Sequence, residues 1–248
     1  MNIETCYAII DKLHATTSRD GLKAAGKEFC EAVNLEYFLM GVLSKDSLYA
    51  PKVSVISNYP QPWLDLYFKE SQLKNDPVVT YMLNRNTPIR WDKLMQNELF
   101  QSAEFEVLMT KAKEYGLNNG ISIPICSVSG EAAVMSLATS KEGIEGNSLL
   151  EQALPFAHTF ATHFFEKFNE LLLQQELSSM DGQLTERENQ CLFWACEGKT
   201  AWEISQIIEI SERTVLFHLN NSAKKLNATS RQHAVAIAMK KGLIKPHL

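Results

Sequence analysis

The sequence contains no uncharged run of about eighteen apolar residues, the length a helix needs to cross a bilayer, so no membrane-spanning helix is expected. Its opening stretch, Met1 to Leu13, carries Glu4 and Asp11 inside an apolar pattern and does not read as a secretory signal. Cysteine is odd in number: Cys6, Cys30, Cys126, Cys191 and Cys196 form no C-x-x-C pair and no metal-ligand spacing. Buried free thiols in a reducing, cytoplasmic compartment are therefore expected, rather than a disulfide framework or a zinc site. A G-x-S-x-G elbow, an H-E-x-x-H helix and a Gly-rich phosphate loop are all missing, so no catalytic residue, metal or cofactor is assigned. His158 and His163 lie five apart, which does not bring them to one helix face as ligands, and a helix-packing role is expected for them. Internal repeats and low-complexity tracts are also missing.

What is there is ordinary globular sequence, 45% hydrophobic and 21% charged over 248 residues, enough for two domains with separate cores. The net charge of −5 is unevenly spread. Residues 183–248 hold nine Lys and Arg against six Asp and Glu, a balance of +3, which leaves −8 for the rest. Only the C-terminal part suits a polyanion, and +3 is modest for phosphate attraction, so two such domains are expected to act together as a homodimer.

That C-terminal part reads as four short helices. Thr185-Glu186-Arg187-Glu188 and Thr200-Ala201-Trp202-Glu203 each fit a capping box, a hydroxyl at the N-cap with a carboxylate three residues on. Gly198 closes the first helix, and Ser211 caps a third over Glu212 to Leu226. At 100° per residue that helix turns Val215, Leu219, Ser222 and Leu226 inward, while Arg213, Phe217, Asn220 and Lys224 share the opposite face. Cationic and amide donors with one aromatic suit phosphates and base edges, so this is read as the recognition helix of a helix-turn-helix. A fourth helix from Thr229 or Ser230 to about Gly242 completes the unit.

The N-terminal part opens with two amphipathic helices, using Cys6, Ile9, Ile10 and Leu13, then Leu22, Ala25, Phe29 and Val33. Leu35–Leu43 and Val53–Ile56 read as adjacent strands, and Gly120–Ile125 and Ala132–Ala138 as two more, joined by a turn at Ser127 to Gly130. With helical segments between the pairs, an antiparallel sheet of about five strands with helices on both faces is expected. Asn147 to Leu177 reads as a long helix interrupted near Pro155, with Phe156, Phe160, Phe164 and Leu171 on a stripe that serves either a dimer interface or its own sheet.

Between the strand pairs, Asn58 to Trp91 is unusually rich in aromatics. Pro62 starts a short helix on which Trp63 and Tyr67, four apart, share a face, so an indole N–H and a phenol point one way. Asp76-Pro77 follows, where the carboxylate is either an N-cap or a buried acceptor for a ligand N–H. Trp91 adds a flat wall, and Ser136 an extra hydroxyl from a strand.

Two sets of residues carry a family resemblance. Leu184-Thr185-Glu186-Arg187-Glu188, Gly198-Lys199-Thr200, Glu203-Ile204-Ser205, Thr214-Val215, Phe217-His218 and Lys225-Leu226 resemble the LuxR-type DNA-binding domain. Asn58-Tyr59-Pro60, Trp63, Tyr67, Asp76-Pro77, Trp91 and Gly116-Leu117-Asn118-Asn119-Gly120-Ile121 resemble the same family's N-acyl-homoserine lactone sensor. The resemblance implies a quorum-sensing transcription regulator of α+β class. A GAF/PAS-like α-β-α sandwich over 1–177 would bind autoinducer and dimerise, 178–183 would be a linker, and 184–248 would bind DNA. It implies that Trp63 donates to the lactone carbonyl, Asp76 accepts from the ligand amide and Tyr59 donates to the acyl carbonyl, with Tyr67 and Trp91 lining the head-group pocket. It places Leu216, Phe217 and Asn220 at base-reading positions, with Lys199, Thr200, Arg213 and Lys224 also at the DNA. The implied partners are the lactone, a pseudo-palindromic duplex operator, a second copy and RNA polymerase. Leu216, where relatives more often carry a polar residue, and Ala133, where they often carry Gly, depart from the pattern. A competing reading keeps the architecture but has the sensor answer another small molecule or a partner protein; a lactone hydrolase is the remaining alternative.

Overall fold

A computed structural model of the chain describes residues 1–44, 52–97, 100, 102–127, 131–177 and 184–244, with backbone alone for 175–177. The expected linker at 178–183 and the turn tip at 128–130 lie outside these residues. The chain divides into two compact units, one ending at Leu173 and the other beginning at Gln174.

The first unit opens with α1 (Ile3–Ala15) and α2 (Arg19–Ala32), capped by Asn2 and Ser18. Cys6, Ile9, Ile10 and Leu13 on one and Leu22, Ala25 and Phe29 on the other are buried, as their spacing predicts. Strands β1 (Tyr37–Leu43) and β2 (Val53–Ser57) follow, then α3 (Gln61–Lys69), α4 (Pro77–Met82), β3 (Ile89–Arg90), α5 (Trp91–Met95) and α6 (Ala103–Glu114). The unit closes with β4 (Asn119–Cys126), β5 (Ala132–Thr139) and α7 (Gly143–Leu177). All pairings are antiparallel in the order β2-β1-β5-β4-β3, the expected five strands. At two residues, β3 is too short to show a period-2 pattern, and no sequence signal locates it.

Strand alternation assigns the two faces. Phe38, Met40 and Val42 of β1, Ile121 and Ile123 of β4, and Met135 and Leu137 of β5 pack into a core with α1, α2 and α7. The intervening positions, among them Leu39, Leu43, Val134 and Ala138, turn to a second cluster with residues of α3 to α6. The fold is thus the α-β-α sandwich expected.

Several expectations are corrected. Helix α7 is continuous through Pro155. Pro155 and Glu151, four residues before it, are both exposed, so the carbonyl that loses its bond faces water. Meanwhile Ala153, Ala157, Phe160, Ala161 and Phe164 stay buried and hold the helix to the sheet, with Phe160 stacked on Phe29 at 4.1 Å between centroids. Cys6, Cys30 and Cys191 are buried free thiols, but Cys126 is exposed where β4 runs out of the sheet and Cys196 is only partly covered. His158 is exposed rather than packed; His163 instead meets His14 of α1, Nδ1 to Nε2 at 2.9 Å.

The second unit contains α8 (Glu186–Cys196), α9 (Ala201–Ile207), α10 (Glu212–Lys225) and α11 (Arg231–Lys240). Both capping boxes form with both reciprocal bonds, and Ser211 and Ser230 cap the other two helices. Gly198 takes φ +79°, the left-handed value its place after α8 requires. Cys191, Leu192, Ile204, Val215, Leu219, Leu226, Ala234 and Ala238 form the core, with Leu243 and Ile244 packed back on it. Glu188, 3% exposed, closes the first capping box and pairs with Lys225 at 2.8 Å, tying α8 to α10. Burial pushes its carboxyl up, but Lys225 and the Thr185 N–H outweigh that and hold it below its ordinary value.

Candidate functional site

On the α3–α6 side of the sheet lies a cavity walled by β1, β2, β5 and residues of α3 to α6. Its walls are mostly aliphatic, with Leu39 and Leu43 of β1 on the sheet side and Leu64, Phe68 and Met82 among the helical contributors. Tyr59, Trp63, Tyr67, Asp76, Trp91 and Ser136 all line this one cavity. The aliphatic stretch at Leu39–Leu43 that continues its wall is contributed by β1.

Each polar group is positioned by local chemistry. Asn58 accepts from the Phe38 N–H at 2.7 Å and donates to the Glu36 carbonyl at 2.8 Å, locking the end of β2 to β1. Ser57 accepts from the Tyr59 N–H at 2.9 Å, so the chain turns with the Tyr59 ring inward. The Tyr59 hydroxyl is buried and has no hydrogen-bond partner among the described residues. Burial first, and the nearby Asp76 second, raise its pKa well above the usual tyrosine value, so it is a fixed donor. Pro62 in the first turn of α3 starts the helix that carries Trp63 and Tyr67, whose rings lie 5.9 Å apart. Trp63 also meets Tyr115, with ring centroids 5.6 Å apart.

Asp76 is the expected N-cap, and its second oxygen is taken by a neighbouring side chain. One carboxylate oxygen caps α4 by accepting the Val78 N–H at 2.8 Å, and the other accepts the Tyr67 hydroxyl at 2.7 Å. Burial raises its carboxyl pKa, opposed by Tyr67 and by the Val78 and Val79 N–H groups. Two oxygens carry about four lone-pair sites, so acceptor capacity remains toward the cavity.

Trp91 begins α5 and lies against Gly120, where a Cβ would stand 2.4 Å from the indole ring. Its N–H donates to Ser122 at 2.8 Å, and Ser122 meets Ser136 directly across the β4–β5 ladder, also at 2.8 Å. Ser122 is the residue the sequence reading missed. Its place between Ile121 and Ile123, both turned to the opposite core, was the available signal. Arg90, also unassigned, donates to Asp92 and Glu151 and so ties β3 to α5 and α7. Among the described residues no three His, Cys, Asp or Glu side chains gather as metal ligands.

In the second unit, Arg213, Leu216, Phe217, Asn220 and Lys224 are all exposed on the outer side of α10. Lys199 and Thr200 sit at the turn into α9. There Thr200 is engaged in its capping box, and Lys199 is partly covered, 4.0 Å from Glu203.

Comparison with known proteins accounts for both units. Residues 18–168 match the autoinducer binding domain, and residues 182–238 match the luxR family of bacterial regulatory proteins. The transcriptional activator protein LuxR of Aliivibrio fischeri is 32% identical over 244 residues, 98% of this chain and 96% of that one. The transcriptional activator protein VanR of Vibrio anguillarum is 34% identical over 242 residues, covering 97% and 98%. The solved structure of SdiA in complex with octanoyl-rac-glycerol shares the fold, with a TM-score of 0.75 and 23% identity over 98% of this chain and 96% of that one. The chain therefore belongs to the LuxR family of quorum-sensing transcriptional regulators, an autoinducer-binding domain joined to a helix-turn-helix DNA-binding domain.

Proposed function

We propose that the autoinducer is an N-acyl-homoserine lactone held in the N-terminal cavity. The observation that carries this reading is the donor and acceptor set. The Tyr59 hydroxyl, buried without a partner among the described residues, the Trp63 indole and one buried acceptor, Asp76, line a cavity with apolar walls. A lactone amide offers the complement: two carbonyl acceptors and one N–H, followed by an aliphatic tail. In this reading Trp63 takes the lactone carbonyl, Tyr59 the acyl carbonyl and Asp76 the amide N–H. Tyr67 and Trp91 enclose the ring, Ser136 offers a further hydroxyl, and Leu39 to Leu43 meet the tail.

The liganded protein acts in the cytoplasm as a dimer, which brings two modestly basic helix-turn-helix units to a pseudo-palindromic operator and presents them to RNA polymerase. Phe160, Phe164 and Leu171 are taken up by the protein's own core, so a second copy meets other residues of α7, such as the exposed Leu173. Arg213, Leu216, Phe217 and Asn220 enter the major groove. Lys199, Thr200 and Lys224 lie nearer the phosphates.

The test is soluble yield and thermal unfolding with and without lactones that differ in chain length and 3-substituent. A rise confined to certain members supports the assignment and identifies the preferred tail. Stable protein with no shift across a saturating panel overturns it.

A further inference from the structure

Helix α10 has a division of labour that its charges do not account for. Val215, Leu219 and Ser222 are buried, which fixes the outward side. On that side, within the first two turns, stand two large apolar side chains, Leu216 at 47% exposure and Phe217 at 60%. Neither belongs to the core of the unit. They are flanked by Arg213, Asn220 and Lys224, all exposed, so the surface that would meet DNA is a mixed one, cationic at its margins and apolar between.

The major groove offers this surface a narrow choice. Guanine and adenine present hydrogen-bonding atoms there, cytosine its amino group beside a small C5–H, and the one methyl group on any base edge is the thymine 5-methyl. Set against a polar edge, Leu216 would strip water from a donor or acceptor that it cannot replace, a net cost. Set against a methyl, it buries apolar area on both sides. Consecutive helical residues point about 100° apart, so Leu216 and Phe217 reach different bases.

We infer that Leu216 and Phe217 read thymine methyl groups, and that each operator half-site carries thymines at the two positions they face. This rests on α10 being the recognition helix, and it adds what that helix selects. Loss of one buried methyl contact is worth about 0.8 kcal/mol, or roughly fourfold in affinity.

The experiment selects duplexes from a random pool with the full-length protein. It then replaces each thymine of the enriched half-site in turn with deoxyuridine, which removes the methyl and nothing else. Two positions are expected at which uracil weakens binding about fourfold. Leu216→Ser should abolish the penalty at one and Phe217→Ser at the other, both variants unfolding at the wild-type temperature because the residues are exposed. Uracil penalties absent at every position, penalties untouched by both substitutions, or half-sites enriched without thymine would overturn the inference while leaving α10 as the reading helix. Enrichment of no sequence would remove that reading as well.

Discussion

Tyr59→Phe should raise the stability of the ligand-free protein and lower its response to lactone, two effects of opposite sign from one oxygen atom. The hydroxyl is buried with no partner among the described residues, and Phe keeps the ring while deleting the unmet group. An unsatisfied buried hydroxyl costs about 1–3 kcal/mol, and the low end applies because this one faces a cavity. A gain of about 1 kcal/mol moves Tm up by roughly 2–4 °C in a chain of this size. With ligand, the variant loses one hydrogen bond of about 1 kcal/mol, roughly fivefold in affinity. At a lactone concentration one hundred times the wild-type dissociation constant, the stabilisation falls from about 2.7 to about 1.8 kcal/mol. Differential scanning calorimetry with and without lactone measures both quantities on the same sample. An unchanged or lower Tm without ligand, or an undiminished shift with it, refutes the claim that Tyr59 is held in reserve for the ligand.

Other perturbations separate roles that overlap in the structure. Asp76→Asn keeps the cap on α4, since Asn caps as well as Asp, but loses the charged acceptor; lactone affinity should drop about tenfold or more by titration calorimetry while the ligand-free Tm holds or rises, because the amide carries no buried charge. The raised Asp76 pKa sets a pH dependence. The folded state binds the extra proton between the ordinary aspartate value and the raised one, so the ligand-free unit loses stability as pH rises through that window. Lactone binding, which needs the ionised form, is lost as pH falls through it; affinity measured as pH is lowered from neutral toward the ordinary aspartate value should show the loss in wild type and not in Asp76→Asn. Gly120→Ala drives a Cβ into the Trp91 indole and should cost about 1–3 kcal/mol in thermal unfolding, with the lactone response reduced. Lys225→Met leaves Glu188 buried without its cation; a loss of about 2–3 kcal/mol in the C-terminal unit is expected, under the 3–5 kcal/mol of fully buried pairs because Lys225 is partly exposed.

The helix-turn-helix unit was legible nearly residue by residue, because its signals are local. Capping boxes, a left-handed glycine and a 3.6-residue stripe each act within one turn of chain. The sandwich was legible as strands, but not as faces, since in Ala132 to Ala138 both parities are apolar apart from Ser136. What could not be read depends on contacts distant in sequence. The bond from Trp91 to Ser122 spans 31 residues, and that from His14 to His163 spans 149. Pro155 misled for the same reason: its cost is local, while the buried aromatics that keep α7 continuous against the sheet meet residues from the whole domain. Six cavity residues were named from motif and side-chain chemistry, but that one carboxylate both caps α4 and binds Tyr67 required the fold.

The most direct test of the central claim is titration calorimetry of the full-length protein with a stabilising lactone and with the same lactone N-methylated at its amide. The account predicts tight binding of the first and loss of it in the second, because methylation removes the N–H that Asp76 accepts. Equal affinity for the two would contradict it, and so would a protein that binds neither.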